Sequence, residues 1–471
     1  VSVQTTIGDR TYGMISTARN SGKDEPFCYN HTTGAFETVT GVTNANTPTT
    51  QATTGAWTPP TIAVVGVNVI VTHPGFPGGA TKFGWFDITT VTAPTWNAGD
   101  TTTNALPSTP LCVANFGNRA YFGCTNSLPY TDVLTLVRTS AGQALTIGDT
   151  TDITALSGLP VQTTSSGIVQ ALLVVKANQV WQVTGDSATS NLALNYLSLT
   201  TGCSAPRSIA QSPQGVYFAS NAGPMVVNQA GALQWVVKSA QQSEPDVRAG
   251  WSAMTTPSRA CGSYTSSIYR VSMATVVRGT AATNDYWFDE HKRRWNGPHS
   301  FTYDCASQLG GNFVLCSNDF PGKLFLSEAG PSNGSTYTDD GTAIMTTMQS
   351  STFPKVGDMV VKQVVESTQE LASNQGAASY QITALDEVGN TLNSCQISIL
   401  PAGALWGAAV WGAFSWASTT NIPKTYTVPW GVPLVFKKMA LYITATASSA
   451  LAFGTFFARW KETGYLNTPT T

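Results

Sequence analysis

Residues 166–184, SGIVQALLVVKANQVWQVT, and residues 201–227, TGCSAPRSIAQSPQGVYFASNAGPMVV, decide the fold. Leu172-Leu173-Val174-Val175 is a short apolar run, and Ala177-Asn178 supplies a turn. Residues 179–184 then alternate, with Val180 and Val183 bracketing Trp181. After a link the pattern returns: residues 208–211, the turn Pro213-Gln214-Gly215, residues 216–219, the turn 221–224 and residues 225–227. Short β-branched and aromatic runs bounded by Gly, Pro and Asn predict hairpin strands.

The same unit recurs along the chain. The second strand of successive copies is predicted near Gly66, Arg119, Gln179, Gly215, Ser266 and Asn312, at steps of 53, 60, 36, 51 and 46 residues. A period near 50 with three or four strands per copy predicts propeller blades. One such sheet cannot bury both faces alone, so copies must stack. The expectation is an all-β chain: a six-bladed β-propeller over residues 61–330, then a C-terminal antiparallel β-sandwich over 331–471. A pair of sandwiches is the alternative for the first part. Residues 1–60 read as an arm or strands making platform or ring contacts. Residues 89–111 and 141–167 read as inserted loops, long enough to serve partners. Residues 359–371 place Glu366 and Glu370 at helical spacing, but the valine density predicts a strand.

Composition narrows the function. Of 471 residues 42% are hydrophobic and only 11% charged, so a core is affordable and much of the surface is uncharged or covered. Net charge is −2, which argues against a basic nucleic-acid binder. The eight cysteines form no CxxC and read as reduced thiols, with Cys305 and Cys316 near enough in sequence to pair. No signal peptide is expected in residues 1–10, and no apolar run is long enough for a membrane-spanning helix.

No reaction chemistry stands out. His31, His73, His291 and His299 lack metal-ligand spacing, and no nucleophile elbow, P-loop or HExxH is present. Asp289-Glu290 and Asp339-Asp340 read as solvated turns. Residues 317–319 with Gly322 have a faint Asp-box character and read as turn chemistry. No catalytic residue, metal or cofactor is expected. His291-Lys292-Arg293-Arg294 is the one basic run; Lys292, Arg293 and Arg294 are candidates for phosphate contact in a DNA channel, against the plainer reading of a solvated turn. Trp406, Trp411 and Trp416 recur every five residues among Gly and Ala, with Trp430 following. They are candidate subunit-interface anchors; an aromatic core is the equal alternative.

The run Thr201-Gly202-Cys203-Ser204-Ala205-Pro206-Arg207-Ser208-Ile209, then Gly215-Val216-Tyr217-Phe218-Ala219-Ser220 and Gly223-Pro224, resembles tail nozzle or hub proteins of short-tailed phages. These are also called tail tubular protein B or DNA-stabilisation proteins. Their pattern is a Gly-x-x-Ala-Pro-x-Ser turn, a Gly-Val-x-Phe-Leu-Ser strand and a Gly hairpin. Ala219 replaces a larger apolar residue, and Pro224 departs from the pattern. The Trp-Gly pairs at 406–407 and 411–412 add to the likeness. The resemblance implies a homo-hexamer in the virion tail, assembled in the host cytoplasm. It implies contact with an adaptor ring and with fibres or a plug, and a bore that retains and then conducts double-stranded DNA. Six chains at −2 each give a mildly repulsive wall. The rival class is a carbohydrate-binding or carbohydrate-cleaving propeller, which predicts convergent carboxylates.

Overall fold

The computed structural model describes residues 2–5, 9–16, 22–50, 60–89, 93–163, 167–185, 191–236, 247, 251, 257–273, 285–299, 303–309, 312–316, 325–327, 338–339, 342–350, 352–353, 360–373, 378–399, 424–447 and 451–465. The named elements are strands, apart from one 3-10 turn at Pro257–Arg259. The chain divides into two compact units, Val1–Glu328 and Ala329–Thr471.

Among the described residues the first unit holds seven successive antiparallel sheets, each built from contiguous chain. They cover residues 2–37, 61–99, 112–146, 153–198, 205–235, 261–299 and 305–327, numbered sheets 1 to 7 here. In sheet 3 the two hairpins join through the bridge Tyr121–Tyr130. The first strand of each sheet stands beside the first strand of the next. These strands are Ser2–Thr5, Thr61–Val65, Cys112–Phe116, Ile153–Thr163, Ala205–Ser212, Cys261–Thr265 and Cys305–Leu309. The last of them packs beside Ser2–Thr5, returning the series to its start.

The cores explain this order. In Gly215–Ser220, Val216 and Phe218 pack with Leu173 and Val175 of sheet 4. Tyr217 and Ala219, on the opposite face, pack with Tyr269 and Val271 of sheet 6. In Asn68–Thr72, Val69 and Val71 meet Tyr12 and Met14 of sheet 1, and Ile70 meets Phe122 of sheet 3. Side chains alternate across a strand, so a strand apolar at every position needs a partner on both faces. Each large side chain so buried contributes about 1.5–3 kcal/mol. The fit is close. A Cβ on Gly84 would sit 2.0 Å from the Trp96 ring, so only glycine lets that indole lie across sheet 2.

The structure corrects four sequence expectations. Six units become seven sheets, because residues 2–37, read as an arm or strands, form a four-stranded sheet of the first unit. The stretch 89–111 contains the fourth strand of sheet 2, Thr95–Gly99. The stretch 141–167 contains Ala144–Thr146 and the whole first strand of sheet 4. Gln179 precedes a third strand, since Gly167–Lys176 is the second. With that register the second strands of sheets 2 to 7 begin at 68, 119, 167, 215, 268 and 312, at steps of 51, 48, 48, 53 and 44 residues.

Among the described residues the second unit has two sheets. One runs Thr338–Asp339, Thr342–Gln349, Ala440–Ala447, Ala378–Leu385, Thr391–Ile399. In the other, Val360–Ser373 pairs with Lys424–Thr427, Val435–Phe436 and Leu451–Tyr465. The valines of 360–365 therefore lie on a strand. Tyr380, Ile382 and Ile443 of the first sheet share one core with Leu371 and Phe436 of the second.

Phe218→Ala should cost about 3–5 kcal/mol in urea unfolding of the full chain, because the cavity opens between two sheets that cannot both collapse. Val169→Ala, at a half-exposed position of the neighbouring sheet, should stay within about 0.5 kcal/mol. Equal effects would contradict the two-faced burial.

Candidate functional site

The seven side-by-side first strands are where this arrangement would gather functional groups. Their sequences are SVQT, TIAVV, CVANF, ITALSGLPVQT, APRSIAQS, CGSYT and CASQL. None contains Asp, Glu, His or Lys, and the single charged residue is Arg207.

Arg207 belongs to the run that carries the family resemblance, and Gly202, Arg207 and Ser208 of that run each hold neighbouring chain in place. Gly202 lies against the turn at 176–179, where a Cβ would come within 2.1 Å of the Lys176 carbonyl oxygen. The Ser208 hydroxyl donates to the Ala205 carbonyl at 2.6 Å and accepts from the Ala219 N–H at 2.7 Å. This bond spans a break in the ladder between Ala205 and Ala210, where Pro206 has no N–H to offer. Arg207 donates to the Asp304 carbonyl at 2.7 Å, and Arg259 donates to the Asp304 carboxylate at 2.9 Å. Three cationic and anionic groups thus tie the starts of sheets 5, 6 and 7.

Other charges are spent in the same way. His73 is buried between sheets 1 and 2 with its Nε2 2.7 Å from Asp24 Oδ2. The Gly75 N–H donates to His73 Nδ1 at 2.8 Å, so the ring proton sits on Nε2 and points at the carboxylate. Lys176, fully buried, donates to the Asp149 carbonyl at 2.6 Å and carboxylate at 3.0 Å. Glu290 accepts from Ser212, Tyr217 and Tyr264, joining sheets 5 and 6. Burial, then this carboxylate, pushes the Tyr264 hydroxyl up to about 12.

The densest cluster lies within sheet 6 and the chain that follows it. Arg270 donates to Asp285 Oδ2 at 2.7 Å, and the Trp287 indole N–H donates to the same oxygen at 2.7 Å. The guanidinium lies over the Trp287 ring at 4.3 Å and over Tyr303 at 5.6 Å. The His299 ring stacks on Trp287 at 4.1 Å, and its Nε2 meets no partner among the described residues. Burial, then Arg270, holds His299 down at about 4. Burial holds the Asp285 carboxyl up at about 6, against the pull of Arg270, Trp287 and Tyr303. These groups lock a cation inside a sheet; they do not converge on open space.

The candidates from sequence fall elsewhere. Lys292, Arg293 and Arg294 are exposed on the hairpin joining Asp285–Asp289 to Arg294–His299. Asp289 accepts from the Lys292 N–H at 2.9 Å and meets its ammonium at 3.1 Å, and Arg293 takes a left-handed φ of 52°. This is a hairpin turn whose charge is partly cancelled at its base. Trp430 is a core residue of the second unit, donating to Ser367 Oγ at 2.7 Å, so it cannot serve as an exposed anchor. Trp406, Trp411 and Trp416 lie outside the described residues, as do residues 317–319. His291 is exposed on the same hairpin, and His31 pairs with the Thr11 hydroxyl at 2.8 Å. The sequence reading missed the Asp24–His73 and Arg207–Asp304–Arg259 clamps. Their partners lie far apart in the chain, and no local pattern marks them.

Among the described residues, no three His, Cys, Asp or Glu side chains gather as metal ligands, and no helix is long and apolar enough to cross a membrane. No protein-family model matches the chain, and no curated protein matches it. Similar solved structures include a glycoside hydrolase family 43 arabinoxylan arabinofuranohydrolase from Bacillus subtilis. It has TM-score 0.26 and 9% identity, over 98% of this chain and 94% of that one. Another is the Bombyx mori GH32 β-fructofuranosidase, with TM-score 0.24 and 8% identity, over 84% of this chain and 92% of that one. Likeness this low transfers no chemistry.

The sheet 6 cluster sets a pH dependence. His299, depressed from 6.5 to about 4, contributes stability that is lost as pH falls through that range. Asp285, raised from 3.8 to about 6, contributes stability that is lost as pH rises through its range. The two slopes oppose between pH 4 and 6. His299→Gln should therefore tilt the urea-unfolding profile toward falling stability with rising pH, by up to about 1.4 kcal/mol per pH unit relative to the parent. Parallel profiles would contradict the assignment.

Proposed function

We propose that the chain is a non-catalytic structural subunit of a short-tailed phage tail, a nozzle or hub protein. In this reading Val1–Glu328 is a seven-bladed β-propeller and Ala329–Thr471 a β-sandwich platform. Six copies surround the tail axis beneath an adaptor ring, and their common bore retains and then conducts double-stranded DNA.

The observation that carries the reading is that the seven first strands contain no Asp, Glu, His or Lys. A glycoside-cleaving propeller needs two carboxylates about 5–10 Å apart, facing the sugar. Among the described residues, Asp24, Asp149, Asp285, Asp304 and Glu290 are each held by histidine, lysine, arginine or tyrosine side chains. The family-like run 201–208 serves packing as well, as expected of a scaffold. Sparse charge fits a subunit covered by its neighbours. The outer strands of sheets 4 and 5 add exposed apolar groups for such contacts, with Tyr196 65% and Trp235 50% exposed.

Negative-stain images of the purified chain across a concentration series should show six-fold rings. Rings of another symmetry, or turnover of a polysaccharide, would overturn the reading. Trp411→Ala should leave the melting temperature unchanged and deplete rings, since an interfacial Trp typically costs about 2–4 kcal/mol on truncation. A lowered melting temperature with rings intact would place Trp411 in a core instead.

A further inference from the structure

The closing sheet of the first unit carries a second kind of chemistry. Cys305 and Cys316 are directly opposed in the antiparallel pair Cys305–Leu309 and Asn312–Cys316. Opposed residues of such a pair point to the same face, with Cα atoms about 5 Å apart. A disulfide requires Cα atoms about 4.4–6.8 Å apart, so this backbone bridges without moving. Both residues are partly exposed and both thiols are free.

The face they occupy follows from their neighbours. Ala306 and Leu315, the next opposed pair, pack with Cys261 and Tyr303 toward sheet 6. Alternation turns Cys305 and Cys316 the other way, toward the side on which Cys305–Leu309 meets Ser2–Thr5. Among the described residues no apolar cluster joins sheets 7 and 1, unlike the six junctions between consecutive sheets.

The geometry points to an oxidisable dithiol at Cys305 and Cys316 that forms a cross-strand disulfide with a small-molecule disulfide as oxidant. One thiolate attacks oxidised glutathione and releases one glutathione thiol, leaving a mixed disulfide. The second cysteine thiolate displaces the second glutathione. The two cysteines lose two electrons and two protons, and oxidised glutathione becomes two thiols. Burial, then Cys305, pushes the Cys316 thiol up to about 11. Exchange should therefore speed up as pH rises from 7 toward 9, because the thiolate is the reacting form. The link joins the first two strands of sheet 7 covalently.

The test is peptide mapping of the folded full chain, incubated with oxidised glutathione at pH 8.5, alkylated and digested without reductant. The expected result is a peptide joining Cys305 to Cys316, two hydrogens lighter than the separate peptides. The other six of the eight cysteines should be recovered alkylated. In Cys316→Ser, Cys305 should stop at the mixed disulfide with glutathione. Recovery of both cysteines alkylated after oxidation would overturn the proposal, as would linkage of either one to Cys261.

Discussion

Burial on two faces is the constraint on which the first unit rests. Strands such as Asn68–Thr72, Arg119–Gly123 and Gly215–Ser220 present apolar groups in both directions. A single sheet of this kind has no stable surface, and two sheets stacked leave two apolar faces bare. A series in which each sheet lies between two others satisfies both faces of its strands, and the last first-strand, Cys305–Leu309, stands beside Ser2–Thr5.

Charge is subordinate to this packing. With few ionic residues, the unit places them at sheet junctions, where the loss of water is offset by a close opposite charge or by several hydrogen bonds. Asp304 shows the economy: its carbonyl and its carboxylate hold two arginines from two different sheets. Removing one partner would strand a buried charge, so these clamps are costly to break even though each adds little by itself. The first strands contain no Asp, Glu, His or Lys.

The middle strands were legible in the sequence because they are apolar throughout and end at Gly, Asn or Pro. The first strands were harder to read. They lie at a sheet edge, where Gly158, Pro160 and Pro206 are tolerated, so Ile153–Thr163 looked like part of a loop. Missing it displaced the register of sheet 4 by one strand and made the period look irregular. Sheet 1 was illegible for a different reason. Asp24–Asn30 is buried on one face only, and its buried face includes Asp24 and Asn30, whose partners lie far along the chain or in a later strand. No local pattern announces a polar residue whose partner is His73.

Residues 2–37 belong to the same compact unit as the sheets that follow. Hydrogen–deuterium exchange of the intact chain measures this directly. Amides of Arg10–Ser16 and Asp24–Asn30 should be protected to the same degree as those of Asn68–Thr72, because sheets 1 and 2 share a core. If residues 2–37 exchanged fully within seconds while sheets 2 to 6 stayed protected, the shared core of sheets 1 and 2 would be wrong.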